Sequence, residues 1–121
     1  MNTTEQAITD VVETYFKGTF EGNADNLISC FHPKAHITGH FDDINIDLAR
    51  DAFIERVKQQ KIDGINQIYD KSILSLEHQH NIAIVKARVR VGNDVFIDYI
   101  SLMLFGNEWK IRHKLFTNRA V

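Results

Sequence analysis

The stretch DVFIDYISLMLFGNEWKIRHKLF, Asp94 to Phe116, carries two side chains able to move a proton, Asp98 and His113, on what reads as two strands around a Gly106-Asn107 turn. A carboxylate and an imidazole close together in apolar surroundings have shifted proton affinities, which is what general acid–base work requires. Tyr15 adds a phenolic donor able to polarise a ligand oxygen. His32, His36 and His40 recur every four residues, a spacing that suits metal ligands on a helix. Pro33 and the alternating residues around it deny that helix, and on a strand only His36 and His40 share a face, with Asp42 or Asp43 as the conceivable third ligand. His78 and His80 fall in a turn and read as solvated. The chain contains no glycine-rich phosphate loop and no serine or cysteine nucleophile signature, so the reading calls for no cofactor, no metal and no covalent intermediate.

The elements that must position these groups follow from periodicity. Thr3 and Gln6 have capping-box spacing, and Ile8, Val11, Val12, Tyr15, Phe16, Thr19 and Phe20 form a 3.6-residue stripe that Gly22 ends. A shorter helix capped by Asn23 puts Ala24, Leu27, Ile28 and Phe31 on one side and stops at His32, before Pro33. The segment AHITGHF alternates as a strand. After a polar loop, DDINI, Asp47 is placed to cap a third helix carrying Phe53, Ile54 and Val57. From Ile65 the period becomes two, with strands expected near 66–77, 82–91, 94–105 and 108–117. Helices followed by a meander predict an α+β fold in which helices cover one face of a curved antiparallel sheet, in one domain spanning 1–121.

Two-residue turns at Gly92-Asn93 and Gly106-Asn107 set a register in which Ala87 faces Asp98, Val85 faces Ile100, Ala83 faces Leu102, Leu104 faces Trp109 and Ile100 faces His113. One face is then apolar except for Asp98 and His113. Either the two satisfy each other at the fraying end of the core, or the sheet leaves a cavity there with a few convergent polar groups. The other face carries Lys86, Arg88, Arg90, Lys110, Arg112 and Lys114 around Ile97, Tyr99, Ser101, Met103, Phe105 and Phe116. An apolar centre of that size predicts a covering partner, and a homodimer through Tyr99, Met103 and Phe105 fits it. A nucleic-acid platform with Tyr99 and Phe116 stacking on bases is disfavoured by a net charge of −2.

Cys30, the single cysteine, reads as a small packed hydrophobe. The N-terminus MNTTEQAITD lacks a basic region and an apolar run, and no apolar stretch is long enough to cross a bilayer. These features predict a cytoplasmic protein with no membrane and no nucleic-acid partner.

Taken together, VVETYFKGTFEGNADNLISCFHPKAHITGHF and VFIDYISLMLFGNEWKIRHKLF resemble the nuclear transport factor 2-like superfamily, and within it the group labelled putative lumazine-binding. The resemblance spans almost the whole chain. It implies a cone-shaped α+β barrel of cystatin-like type, a curved sheet wrapped around a long first helix, a pocket at the open end and frequent dimers through the outer sheet face. The superfamily includes ketosteroid isomerases, dehydratases, polyketide cyclases and epoxide hydrolases alongside binding-only proteins, so the fold does not choose among them. Tyr15 falls where the isomerases place an oxyanion-donating tyrosine. Where they carry a catalytic aspartate this chain has Gly39 or His40, and their second pocket acid aligns near Ile100, two residues from Asp98.

Two readings result. The first is a small-molecule-binding domain holding a mostly apolar or cyclic ligand among Tyr15, Phe31, His40, Phe53, Ile100, Trp109 and Ile111, with Asp98 and His113 orienting its polar end. The second is a cofactor-free proton-transfer enzyme of isomerase, dehydratase or cyclase type, with Asp98 or His113 as base and Tyr15 as electrophile.

Overall fold

The apolar stripe of the first helix, α1 (Thr3–Glu21), buries Ile8, Val12, Tyr15, Phe16 and Thr19 against the hollow of a six-stranded sheet in the computed structural model, which describes residues 3–64 and 69–119. Thr3 already lies inside this helix, and Gln6 reaches forward to Asp10 (2.8 Å) instead of back to a cap. Gly22 ends the helix with φ +64, a conformation that side chains with a Cβ rarely adopt. Asn23 caps α2 (Ala24–Cys30) as expected, its Oδ1 accepting from the Asn26 N–H. The helix stops two residues before His32, because Phe31 is already extended at φ −97 and ψ 134. Leu27 is buried, whereas Ile28, expected beside it, faces solvent.

Strand β1 (Phe31–Phe41) begins there and turns through Asp42 and Asp43 into β2 (Ile44–Ala49). Both aspartates have positive φ, and the Asn118 side chain clasps the turn by accepting from Asp42 N–H and donating to Asp42 Oδ1. The expected polar loop is therefore a strand, and Asp47 sits within it, paired with His36 at 3.2 Å instead of capping a helix. Helix α3 (Arg50–Ile62) starts after Ala49 with no side-chain cap and buries Phe53, Ile54 and Val57.

The meander follows as β3 (Tyr69–Gln79), β4 (Ile82–Val91), β5 (Asp94–Phe105) and β6 (Glu108–Thr117). Ile65 and residues 66–68 of the expected first meander strand lie outside the described residues. Strand order is β2-β1-β6-β5-β4-β3, antiparallel at every junction except β1 with β6, which is parallel. The first helix and the last strand thereby meet at the centre of the fold. Ala83, Val85, Ala87, Ile100, Leu102, Trp109 and Ile111 point into the hollow and form its core with α1 and α3.

At Gly39 the β1–β6 junction leaves no room for a side chain. A Cβ there would run into the backbone oxygen and ring of Phe116, its partner in register. Gly39→Ala should lower stability by about 1–3 kcal/mol, the cost of overpacking a formed interior. Urea unfolding checks this, and a loss below about 0.5 kcal/mol would place Phe116 elsewhere.

Candidate functional site

Strands β5 and β6 leave their turn in the expected register, Phe105 opposite Glu108 and Leu104 opposite Trp109. Pairing then skips a residue: Leu102 faces Ile111 while Ser101 faces His113, so Arg112 is extra and β6 bulges. The Arg112 guanidinium donates to Lys34 O at 2.7 Å. Lys34 belongs to the β1 segment where pairing with β6 is also irregular, a segment containing Pro33, which has no N–H to offer the ladder.

A one-residue shift exchanges the two faces of a strand. Beyond the bulge Lys114 turns into the hollow, 7% exposed, opposite Ile100, and Phe116 follows it inward. His113 and Leu115 turn outward, correcting the expected placement of His113 on the core face opposite Ile100. His113 Nε2 lies 2.9 Å from Thr38 Oγ1 and opens on a shallow depression of the outer face beside Met103 and Arg112.

Asp98 keeps its expected place opposite Ala87 and is fully buried. Its companions are Tyr15 and Lys114. Tyr15 Oη donates to Asp98 Oδ2 at 2.7 Å, and Lys114 Nζ lies 3.8 Å from the same oxygen, an ion pair longer than a good hydrogen bond. Among the described residues Asp98 Oδ1 accepts no hydrogen bond. The Lys114 ammonium sits over the rings of Phe53, Tyr15 and Phe116, at 4.8, 5.0 and 5.2 Å from their centroids. Burial holds its amine below the usual lysine range, and the Asp98 charge opposes that shift only in part.

These groups lie in a cavity of about 270 Å³ between α1, α3 and the concave sheet. Its apolar wall includes Ile37, Phe41, Ile46, Leu48, Val89, Phe96 and Phe116, and Arg56, Gln60 and Asp94 supply polar groups nearer solvent. Of the residues singled out from sequence, Tyr15, Phe53 and Asp98 line it. Phe31 stands behind the wall, its ring against Tyr15 and Phe53, while Ile100, Trp109 and Ile111 belong to the packed core and His40 is exposed. Lys114 was expected outside. The run Arg112-His113-Lys114 followed by adjacent apolar Leu115 and Phe116 is the trace of the bulge in the sequence, since strict alternation cannot hold across it.

Among the described residues no three histidine, cysteine, aspartate or glutamate side chains are placed to hold a metal ion. His32 stacks on Phe105 at 4.4 Å, covering part of the outer apolar face. Cys30 is buried, and that burial pushes its thiol up to about 12.

A curved sheet closed by helices over a cavity with aromatic walls and a buried polar floor defines a nuclear transport factor 2-like cone. The chain belongs to the family described as "Putative lumazine-binding", whose model matches residues 3–117. Among solved structures it is similar to an NTF2-like protein of unknown function from Silicibacter pomeroyi DSS-3, with 28% identity over 96% of this chain and 98% of that one and a TM-score of 0.83. An NTF2-like protein of unknown function from Methylobacillus flagellatus KT gives 18% identity, 97% and 94% coverage and a TM-score of 0.81. A cystatin-like domain of unknown function from Nostoc punctiforme PCC 73102 gives 13%, 100% and 81%, and 0.79. The last two likenesses establish the fold alone. No curated protein matches the chain.

Removing one member of a buried ion pair strands the other. Lys114→Met should therefore cost about 3–5 kcal/mol, and adding Asp98→Asn, which can still accept from Tyr15, should recover most of it. Because the native Lys114 amine titrates below its unfolded value of about 10.4, the native state binds fewer protons between those two points. Stability of the wild type should then rise with pH across that window relative to the Asp98→Asn/Lys114→Met variant. Urea unfolding at successive pH values checks both parts; a single variant as stable as the wild type would contradict the pairing.

Proposed function

We propose that this chain acts as one small-molecule-binding domain, its cavity taking a compact, flat, cyclic molecule whose electronegative oxygen meets Lys114. The observation that carries this reading is a buried cation lining a largely apolar cavity, where the Tyr15 proton is already committed to Asp98. A volume just under the usual ligand range of roughly 300–1,000 Å³ supports a one- or two-ring molecule over a steroid-sized one. Lumazine, named in the family description, is a flat two-ring molecule with carbonyl oxygens and is the natural first probe. Calorimetric titration should show lumazine binding to the wild type and at least about tenfold weaker binding to Asp98→Asn/Lys114→Met. Equal affinities in the two proteins would sink the role of Lys114.

Proton transfer is the second reading, favoured by an Asp98 Oδ1 that accepts no hydrogen bond among the described residues and lies in a largely apolar setting. Asp98 is then the base and Lys114 or Tyr15 the electrophile. Exchange of a bound ketone's α-protons for deuterium in heavy water, abolished by Asp98→Asn, separates catalysis from binding.

We further infer a homodimer through the outer sheet face, where Ile84, Tyr99, Met103 and Leu115 remain exposed. Phe105 contributes less, because His32 stacks on it. A cytoplasmic setting belongs to the same reading and suits a cysteine that is buried and unpaired. Tyr99→Glu with Met103→Glu should yield monomers in analytical ultracentrifugation; a wild type that is monomeric at high micromolar concentration would rule this interface out.

A further inference from the structure

Lys114 is the one buried lysine among the described residues. Lysines are kept inside proteins rarely, and those that are either balance a charge or use their nitrogen. Lys114 balances Asp98, but at 3.8 Å the contact falls short of a close hydrogen bond, and among the described residues Asp98 Oδ1 has no donor, so charge balance alone does not use the nitrogen. The Lys114 nitrogen also borders the cavity, held by three aromatic rings that exclude competing hydrogen-bond partners.

We propose that Lys114 is a covalent capture site at which the ε-amine condenses with a small aldehyde or ketone to form an imine. The proposal rests on the cavity being a ligand site and names the class of ligand. In the first step the ammonium proton passes to Asp98, giving a neutral amine beside a carboxylic acid. The amine lone pair then attacks the carbonyl carbon, and a proton moves from nitrogen to oxygen to complete a carbinolamine. Asp98 returns its proton to the hydroxyl, the carbon–oxygen bond breaks and water leaves. The product is an iminium whose positive charge faces the restored Asp98 carboxylate. No oxidant or other reactant is consumed. Burial, which holds the amine below the usual lysine range, increases the share of it present as the nucleophile. The Tyr15 hydroxyl, bonded to Asp98, keeps the carboxyl turned toward the nitrogen throughout.

Benzaldehyde with sodium cyanoborohydride tests this on the intact chain, because reduction of the imine fixes one benzyl group on the lysine that formed it. Peptide mapping by mass spectrometry should find Lys114 benzylated at least about tenfold faster than exposed Lys17, Lys34 or Lys58, which serve as internal controls. Benzyl alcohol, which has the same ring but cannot form an imine, is titrated in parallel. Binding of the alcohol with Lys114 unmodified would overturn covalent capture and leave the binding cavity standing. Failure of both the labelling and the alcohol would overturn the cavity reading as well. Labelling of Lys114 no faster than the exposed lysines would likewise contradict a built site.

Discussion

The β6 bulge at Arg112 decides what the cone contains. A regular strand would carry the alternation of Trp109 and Ile111 on through His113 and Leu115, giving an imidazole beside Asp98 and a lysine in solvent. With the bulge in place, the chain buries a cation in place of an imidazole. The irregularity is anchored from the neighbouring strand, where Arg112 binds the Lys34 carbonyl next to Pro33. Each strand departs from regular pairing where the other does, so the two departures support each other. Bulges beside sites commonly serve to re-aim a side chain, and here the side chain re-aimed is Lys114.

Core and site divide the hollow between them. At one end Val85, Ile100, Leu102 and Ile111 pack with no polar atom among their side chains against Ile8, Val12 and Phe16 of α1. At the other, Asp98 and Lys114 each lose solvation that their mutual attraction at 3.8 Å only partly restores. An apolar pair of similar volume would be a more stable choice, so the pair costs stability that the packed end must offset. The aromatic rings around Lys114 soften that cost while lowering local polarity. Gly39 contributes from β1 by leaving room for the Phe116 ring, which completes both the wall of the cavity and the cage around the cation.

Much of this architecture is written in local patterns. The α1 stripe, the strands at 82–91, 94–105 and 108–117, and the pairing of Ala87 with Asp98 all follow from periodicity and two glycine turns, because those signals act over a few residues. Phe31 and His32 pass from helix to strand because Pro33 disfavours helix but does not say how far upstream its effect reaches. Strand β2 was hidden by a turn built from two aspartates at positive φ, stabilised by Asn118, which lies far away in sequence. The bulge leaves only a faint trace in the run Arg112-His113-Lys114, because its anchor is the Lys34 carbonyl and nothing within β6 announces that partner on β1. Asp98 and Tyr15 could be singled out as chemically unusual, but Lys114 could be recognised as their neighbour only once the β1–β6 junction was known.

The proposed site turns on Lys114 facing inward beside Asp98, among the rings of Tyr15, Phe53 and Phe116. NMR observation of the Lys114 side-chain nitrogen and ε-methylene across a pH titration tests it most directly. The account predicts a midpoint below the ordinary lysine value of about 10.4, with cross-relaxation from the ε-protons to the rings of Tyr15, Phe53 and Phe116. A Lys114 that titrates at or above that ordinary value, and whose ε-protons show no ring contacts, would put it on the outer face and remove the bulge, the ion pair and the proposed site together.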